Sequence, residues 1–132
     1  MKILVVEDDD TFRELLAEFL ERYGHEVSAV GKASQAQTLI DITQGDFDIL
    51  ISDIFLPGST GFNVLRYVKD NFAHITTLVM TGFPNIVNST QAIELGAYSF
   101  IPKPLKLVDM ISLLRRIEKM REREGTLTGV KT

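Results

Sequence analysis

Short apolar runs alternate along this chain with longer amphipathic segments. Residues 3–6 read Ile-Leu-Val-Val, a continuous apolar run that predicts a strand buried on both faces. Further short runs of the same character predict strands at residues 26–30, 47–51, 76–80 and 98–101. The pattern therefore predicts five short strands separated by segments of a different period.

Helical periodicity fills the segments after these strands. Apolar residues recur there at spacings of three and four, which is typical of a helix with one face on a core. These residues are Phe12, Leu15, Leu16, Phe19 and Leu20; Ala33, Ala36, Leu39 and Ile40; Phe62, Leu65 and Val68; Ile86, Ile93 and Leu95; and Leu107, Met110, Ile111, Leu114 and Ile117. Thr11 with Glu14 predicts a capping box for the first helix, and Gly24 and Gly96 predict helix ends.

Five strands alternating with five helices predict an α/β fold, in which a parallel sheet carries helices on both faces. At 132 residues and 14.8 kDa the chain is long enough for one domain with a substantial core. We expect that domain to span residues 1–121, and the polar residues 122–132 to be a frayed helix end or the stub of a linker. Residues 56–61, which include Pro57-Gly58, predict a loop before the third helix.

Composition excludes several classes of protein. The chain has no cysteine, which rules out a disulfide scaffold, a thiolate metal site and a cysteine nucleophile. No apolar run approaches the roughly 20 residues of a membrane span, and the first residues lack the apolar region of a signal peptide. A cytoplasmic location without membrane contact is therefore expected. The formal net charge of −4 argues against direct nucleic-acid binding.

Acidic side chains follow two of the predicted strands. Glu7 and Asp8 come directly after the first strand, and Asp53 follows the third. In an open α/β sheet, ligands bind beyond the carboxyl ends of the strands, near the point where the strand order switches. If the first and third strands are neighbours, about 5 Å apart, the three carboxylates converge. A hard divalent cation such as Mg²⁺ would relieve their repulsion.

A hydroxyl and an ammonium follow the last two strands. Thr81 comes after the fourth strand and Lys103 after the fifth. Taken singly, Thr81 is compatible with an ordinary turn, Lys103 with a solvated side chain and Asp53 with a simple strand end. Asp9 and Asp10 are also explained by the favourable interaction of acids with a helix N-terminus. Together, the carboxylates, the hydroxyl and the ammonium form a set that holds Mg²⁺ and a phosphoryl group side by side.

Over residues 1–121 the sequence resembles the receiver domain of bacterial two-component response regulators. The segments that carry the resemblance are "VVEDD", "DIFLPGSTG", "MTG" and "GAYSFIPKP", in this order. The resemblance implies a (βα)5 doubly wound, flavodoxin-like fold with the strand order 2-1-3-4-5. The residues that flank the site, notably the segment "GAYSFIPKP", resemble receivers of the sigma-54 activator branch.

The resemblance implies magnesium and phosphoryl chemistry for the acidic residues. Asp53 matches the phosphoacceptor, whose carboxylate attacks a phosphohistidine on a partner kinase. Asp8 matches the direct Mg²⁺ ligand and Glu7 a ligand that acts through water, while Asp53 and the backbone carbonyl of Phe55 complete the set. Mg²⁺ is accordingly the expected cofactor, and a sensor histidine kinase or a phosphotransfer protein is the expected partner.

The same resemblance assigns the residues that respond to phosphorylation. Lys103 matches the lysine that pairs with the phosphoryl group, and the bond from Lys103 to Pro104 matches a cis peptide. Thr81 and Phe100 match the hydroxyl and the aromatic ring that move when the phosphoryl group arrives. The resemblance thus implies a phosphoprotein that signals, or forms a homodimer, through the surface of the fourth helix, the fifth strand and the fifth helix.

The expected activity is signalling rather than enzymatic turnover. The domain would catalyse only its own phosphoryl transfer and a slow autodephosphorylation. We expect the latter to be slow because the bulky side chains of Phe55 and Phe83 come two residues after Asp53 and Thr81, where the resemblance places the mouth through which water attacks. The sequence departs modestly from the family pattern at Leu105, where Phe is common.

Three other functions are compatible with parts of the pattern. A metal-dependent phosphatase would also use an aspartyl nucleophile, but such enzymes resemble D-x-D-x-T, and Asp53 is followed by Ile-Phe-Leu-Pro. A nucleotide-binding domain would carry G-x-G-x-x-G or G-x-x-x-x-G-K-[ST], and neither occurs. A degenerate receiver would only bind a partner and would not need the complete set of site residues.

Overall fold

The computed structural model describes residues 1–56, 59–82 and 89–126. The central sheet is formed by β1 (Lys2–Val6), β2 (Glu26–Val30), β3 (Ile49–Asp53), β4 (Thr76–Thr81) and β5 (Ser99–Pro102). The helices are α1 (Asp10–Arg22), α2 (Ala33–Ile42), α3 (Gly61–Asn71), α4 (Ser89–Glu94) and α5 (Leu107–Glu124). Each strand of the sheet is followed by one helix, as the alternating pattern predicts.

The sheet is parallel throughout and has the strand order β2-β1-β3-β4-β5. This confirms the predicted α/β class and the predicted order. The apolar run at residues 3–6 is fully buried, as its position between β2 and β3 requires. Because the chain moves outward from β1 first in one direction and then in the other, the switch point lies between β1 and β3, where a ligand crevice forms.

The sheet has a separate core on each face, because successive side chains of a strand point to opposite sides. On one face, Ile3 and Val5 pack with buried residues of α1 and α5. On the other face, Leu4 and Val6 pack with α2 and α3, and α4 joins α3 over β4. Helices therefore cover both faces, which leaves the strand ends as the place where polar side chains gather.

The first helix begins earlier than predicted and has a different cap. It starts at Asp10, and Oδ1 of Asp9 accepts a hydrogen bond from the backbone N–H of Phe12 at 2.9 Å. The capping box predicted at Thr11 is therefore wrong. Aspartate is at least as good a cap as threonine, and the earlier start lets the carboxylate of Asp10 pair with Arg13 at 2.6 Å, one turn along the helix.

The segment before α3 also differs from the prediction. Phe55–Leu56 and Ser59–Thr60 pair as a short antiparallel ladder, where the sequence predicts only a loop. The backbone groups of these two short segments are therefore hydrogen-bonded to each other. Each segment has only two residues, which is too few for an alternating pattern in the sequence to predict a strand. Pro57 and Gly58, the basis of the loop prediction, lie outside the described residues.

The fourth helix is described only in part. α4 covers Ser89–Glu94 and is followed by Gly96 in the left-handed region, with φ +93°, so the predicted helix end is confirmed. The predictions that involve Phe83 and Ile86 fall outside the described residues.

The last helix is fastened at its carboxyl end by Arg121, whose side chain is 2% exposed. One Nη atom lies 3.1 Å from Oδ1 of Asp48 and donates to the carbonyl of Thr126 at 2.8 Å. The other donates to the carbonyl of His74 at 2.7 Å and to Oγ1 of Thr76 at 3.1 Å. These contacts join α5 to the amino-terminal ends of β3 and β4.

α5 continues to Glu124, three residues past the predicted domain boundary. The boundary itself stays a prediction. Within the described ranges, no helix has the length and apolar character needed to cross a membrane.

Candidate functional site

The strand register places two acids side by side. Val6, the last residue of β1, pairs with Ser52 of β3, and each of these residues is followed by an acid. Glu7 and Asp53 therefore lie level with each other at the carboxyl edge of the sheet, on the two strands that flank the switch point. The convergence expected from neighbouring strands is present.

Three carboxylates meet at this edge. Glu7, Asp8 and Asp53 each offer one oxygen, and these oxygens lie within 4.8 Å of one another. Glu7 is 1% exposed and Asp53 6% exposed, whereas Asp8 is exposed. Two acids of the group, Glu7 and Asp53, are therefore buried, and the third, Asp8, is exposed to solvent.

Lys103 supplies a positive charge to the group. Its Nζ lies 2.8 Å from Oε2 of Glu7 and 2.7 Å from Oδ2 of Asp53. The backbone N–H of Lys103 donates to the carbonyl of Thr81 at 2.7 Å, and the peptide bond to Pro104 is cis. β4 and β5 thus hold the start of the Lys103 side chain at the same edge as the acids.

The charges at this edge shift the pKa values of two groups. Burial raises the pKa of Glu7, the hydrogen bond from Lys103 lowers it, and the neighbouring Asp53 raises it; the net shift is upward. Burial lowers the pKa of Lys103, but hydrogen bonds and charges from Asp53 and Glu7 outweigh this, and its pKa is raised. The ammonium therefore stays charged at neutral pH, while the ionised form of Glu7 is disfavoured.

These residues fit a hard divalent cation. Three carboxylates face one ammonium, so two negative charges are left without compensation from Lys103 when all the groups are ionised. Carboxylate oxygens are the ligands that Mg²⁺ takes in proteins, usually together with several waters. The exposure of Asp8 leaves one side of the group open to that water.

Both carboxylate oxygens of Asp53 have a partner. Oδ2 contacts the Lys103 ammonium, and Oδ1 accepts a hydrogen bond from the backbone N–H of Phe55 at 3.0 Å. Phe55 follows β3 after one residue, and its side chain is 38% exposed. The orientation of the Asp53 carboxylate is thus set from two directions.

Thr81 and Phe100 lie on the two strands beyond β3. Thr81, the last residue of β4, is fully buried and pairs with Pro102. Phe100 pairs with Val79 and is half-buried against the cluster that includes Ala92 of α4. The structure therefore puts Thr81 at the same strand edge as the carboxylates, and Phe100 nearer to α4.

Two neighbours of the site do not follow from the sequence pattern. The Lys103 Nζ lies over the ring of Phe12, 4.9 Å from its centroid, although the sequence pattern indicates only a core position for Phe12. Nη1 of Arg13 donates to the backbone carbonyl of Glu7 at 2.8 Å. The one available signal was that both residues lie in the first turn of the helix that follows the acids.

The fold and this edge define a class of protein: a doubly wound α/β domain with an acidic pocket at the switch point and a lysine that follows the last strand. Residues 3–115 match the family described as the response regulator receiver domain. The chain belongs to this family.

Response regulators of bacteria are among the relatives of this chain. The chain is 32% identical over 114 residues to the DNA-binding transcriptional regulator NtrC of Azospirillum brasilense, covering 86% of this chain and 23% of that protein. It is 31% identical over 115 residues to the response regulator protein FleR of Pseudomonas aeruginosa, covering 87% of this chain and 24% of that protein. The chain thus spans about a quarter of the length of these relatives.

Solved structures of receiver domains superpose well. The non-phosphorylated HemR receiver domain from Leptospira biflexa has 31% identity and a TM-score of 0.79, with 88% of this chain and 92% of that chain covered. A response regulator receiver domain from Clostridium thermocellum has 26% identity and a TM-score of 0.82, with 91% and 96% covered. The likeness extends over nearly the whole of both structures.

Proposed function

We propose that this domain accepts a phosphoryl group on Asp53, in a Mg²⁺-dependent reaction, from a sensor histidine kinase or a phosphotransfer protein in the cytoplasm. The observation that carries the proposal is the arrangement around Asp53. Its buried carboxylate contacts the Lys103 ammonium and adjoins the carboxylates of Glu7 and Asp8. Membership of the receiver family supports the same assignment.

Asp53 is the nucleophile in this proposal. One of its carboxylate oxygens forms a bond to phosphorus, and the P–N bond of the donor phosphohistidine breaks, leaving its electron pair on the imidazole nitrogen. The hydrogen bond from the Phe55 N–H to Oδ1 orients the carboxylate before attack. Orientation of this kind matters because phosphoryl transfer depends mainly on positioning and on stabilisation of charge.

The remaining residues manage charge. Glu7, Asp8, Asp53 and the backbone carbonyl of Phe55 would hold the cation. Mg²⁺, when bound, neutralises charge on the phosphoryl oxygens and on the carboxylates. Lys103 transfers its contact from the Asp53 carboxylate to a phosphoryl oxygen.

Phosphorylation is proposed to change the surface formed by α4, β5 and α5. A phosphoryl group adds about −1.5 to −2 charge and three acceptor oxygens. Thr81 turns to donate to one of these oxygens, and Phe100 rotates inward behind it. The exposed apolar side chains of Ile93, Tyr98 and Val108, which are 58%, 44% and 73% exposed, then form part of an altered surface for a homodimer or another partner.

Amide chemical shifts recorded with and without beryllofluoride, a phosphoryl mimic, test this switch. We expect changes along residues 82–105, of which 83–88 lie outside the described residues, as well as at the pocket. Changes confined to the residues around Asp53 would contradict the switch and leave the phosphoacceptor role standing.

The acyl phosphate is proposed to be long-lived, over many minutes or more. The partly exposed ring of Phe55 lies two residues beyond Asp53, where it hinders an in-line water and offers no hydrogen bond to orient one. Phe83, the second shielding residue expected from the sequence, lies outside the described residues. Replacing both rings with small or polar residues should speed phosphate release; unchanged release would contradict the shielding.

Incubation with acetyl phosphate and Mg²⁺ distinguishes the proposal from its alternatives. A receiver gains one labile acyl phosphate per chain. A phosphatase would hydrolyse many equivalents of donor, and a degenerate receiver would remain unmodified. A stoichiometry of one that depends on Mg²⁺ supports the proposal, whereas either of the other results would contradict it.

A further inference from the structure

The Lys103 ammonium is held on two sides. Two carboxylate oxygens, from Glu7 and Asp53, lie within 2.8 Å of Nζ, and the face of the Phe12 ring lies against it, 4.9 Å away at the centroid. We propose that Phe12 is a positioning residue, which keeps the Lys103 ammonium at the pocket for phosphoryl transfer. This inference rests on the proposed role of Asp53 as phosphoacceptor.

Phe12 is itself well fixed. It lies in the first turn of α1, and its backbone N–H donates to the capping carboxylate of Asp9 at 2.9 Å. Its half-buried ring packs against the core cluster that contains Leu16 and Met110, as does Leu105 of the loop after Lys103. These contacts hold the Phe12 ring in a fixed position beside the Lys103 side chain, unlike a mobile side chain on the surface.

An aromatic face suits this position better than the alternatives. A carboxylate would attract the ammonium but would add a fourth negative charge to a group that already has three. A neutral hydrogen-bond acceptor would compete with the phosphoryl oxygens for the N–H groups of Lys103. The ring attracts the cation through its quadrupole and carries no net charge.

The position of the Phe12 ring is important when the Lys103 ammonium moves its contact from the Asp53 carboxylate to a phosphoryl oxygen. A lysine side chain has a flexible four-carbon stem and many rotamers, and that of Lys103 is 23% exposed, so an unrestrained ammonium has room to move toward water. Phe12 favours the rotamers in which Nζ stays beside Asp53. Without the ring, we expect phosphorylation by a small donor to slow by about 3- to 10-fold, in keeping with a cation–π contact at a partly exposed site.

Three variants separate this role from simple packing. Phe12→Leu fills similar space without a π face, and Phe12→Tyr restores the face. Phe19→Leu is the matched control, because Phe19 is a half-buried ring on the same helix that packs against the same cluster. Two measurements are needed: the rate constant for acyl phosphate formation from acetyl phosphate with Mg²⁺, and the NMR shifts of the Lys103 side-chain protons in the unphosphorylated protein.

The aromatic ring current should move the Lys103 proton signals upfield in the wild type. We expect this displacement to vanish in Phe12→Leu and to remain in Phe12→Tyr and Phe19→Leu. We also expect Phe12→Leu to slow phosphorylation about 3- to 10-fold, Phe12→Tyr to recover most of that loss, and Phe19→Leu to react at the wild-type rate.

Two results would overturn the inference while leaving the proposed function intact. One is a Lys103 shift that does not respond to Phe12→Leu, which would mean that the ring contact is absent in solution. The other is equal slowing by Phe12→Leu and Phe19→Leu, which would indicate a general packing effect. Failure of the wild type itself to take up a phosphoryl group would instead refute the proposed function, and the positioning role with it.

Discussion

Charged side chains are buried at both ends of the central sheet, but their net charges differ. The amino end is called the balanced end because one positive charge meets one negative charge there. The carboxyl end is called the unbalanced end because negative charges are in excess there. At the amino end, Arg121 pairs with Asp48 and donates to three neutral oxygens, and the second oxygen of Asp48 accepts from the backbone N–H of Lys2 at 2.8 Å. At the carboxyl end, three carboxylates face one ammonium.

This difference separates a structural ion pair from a chemical site. At the amino end one charge meets one opposite charge, and both are enclosed at 2% side-chain exposure or less. At the carboxyl end, the excess negative charge favours the binding of a cation, and the exposed Asp8 leaves the group accessible to water. A buried ion pair contributes to stability only when hydrogen bonds satisfy it, and an unbalanced one is a candidate for function.

The largest expected effect on stability comes from breaking the balanced end. Arg121→Met leaves Asp48 buried without its cation, which should lower the free energy of unfolding by about 3–5 kcal/mol. Urea unfolding measures this directly. Arg123→Met is the matched control: it lies two residues along the same helix and is exposed, so its effect should stay within about 0.5 kcal/mol.

The same two variants also test whether the two ends of the sheet differ in function. Under conditions where it remains folded, Arg121→Met should accept a phosphoryl group at the wild-type yield, because it lies at the opposite end of the sheet from Asp53. Equal stability of the two variants, or loss of phosphorylation in folded Arg121→Met, would contradict the division between the two ends.

The unbalanced end is tested by its affinity for Mg²⁺. Asp8→Ala removes a carboxylate from the cluster, and we expect binding to weaken by at least roughly 10-fold, the loss that even an outer partner of a metal ligand causes. Asp10→Ala removes the same charge two residues later, outside the cluster, and should have little effect. Isothermal titration decides, and equal affinities in the two variants would put the cation elsewhere.

The smallest expected effect is on the free energy of unfolding of the protein, measured without Mg²⁺, when one charge is removed from the unbalanced end. Glu7→Gln removes one of the clustered charges and keeps the shape, so it should raise the free energy of unfolding at pH values above the raised folded pKa of Glu7, by on the order of 1 kcal/mol. Because the folded protein holds the Glu7 proton more tightly than the unfolded chain, the wild type loses stability as pH rises from 4.5, the ordinary pKa, through the raised folded value.

The gain in Glu7→Gln should therefore be absent at pH values well below 4.5 and complete above the folded pKa of Glu7. Glu14→Gln, an exposed neutralisation on α1, should show no such rise. A loss of stability in Glu7→Gln at neutral pH would mean that the ion pair with Lys103 outweighs the repulsion among the carboxylates.

The two ends also differ in how well the sequence predicts them. The carboxyl end was predictable because each of its groups lies within two residues of the end of a predicted apolar strand, and parallel strands end at a common edge. Asp53 and Lys103 therefore converge although 50 residues separate them. Their roles rest on a family resemblance, which geometry alone does not supply.

The amino end was not predictable from local pattern. Arg121 and Asp48 lie 73 residues apart, and Arg121 occurs in a run of charged residues that resembles a solvated helix end. The cap of α1 was missed for a different reason: Asp9, Asp10 and Thr11 are adjacent and all suit an N-cap. Only the position of the helix on the sheet selects among them.

We propose that the arrangement of charges at the unbalanced end makes Asp53 a phosphoacceptor. Mass spectrometry of protein treated with acetyl phosphate and Mg²⁺ tests it most directly, with Asp53→Asn beside Asp46→Asn, an exposed acid at the balanced end. We expect the wild type and Asp46→Asn to gain the mass of one phosphoryl group, and Asp53→Asn to gain none, because an amide is a far poorer nucleophile than a carboxylate. A stable adduct on Asp53→Asn at the wild-type yield would contradict the account.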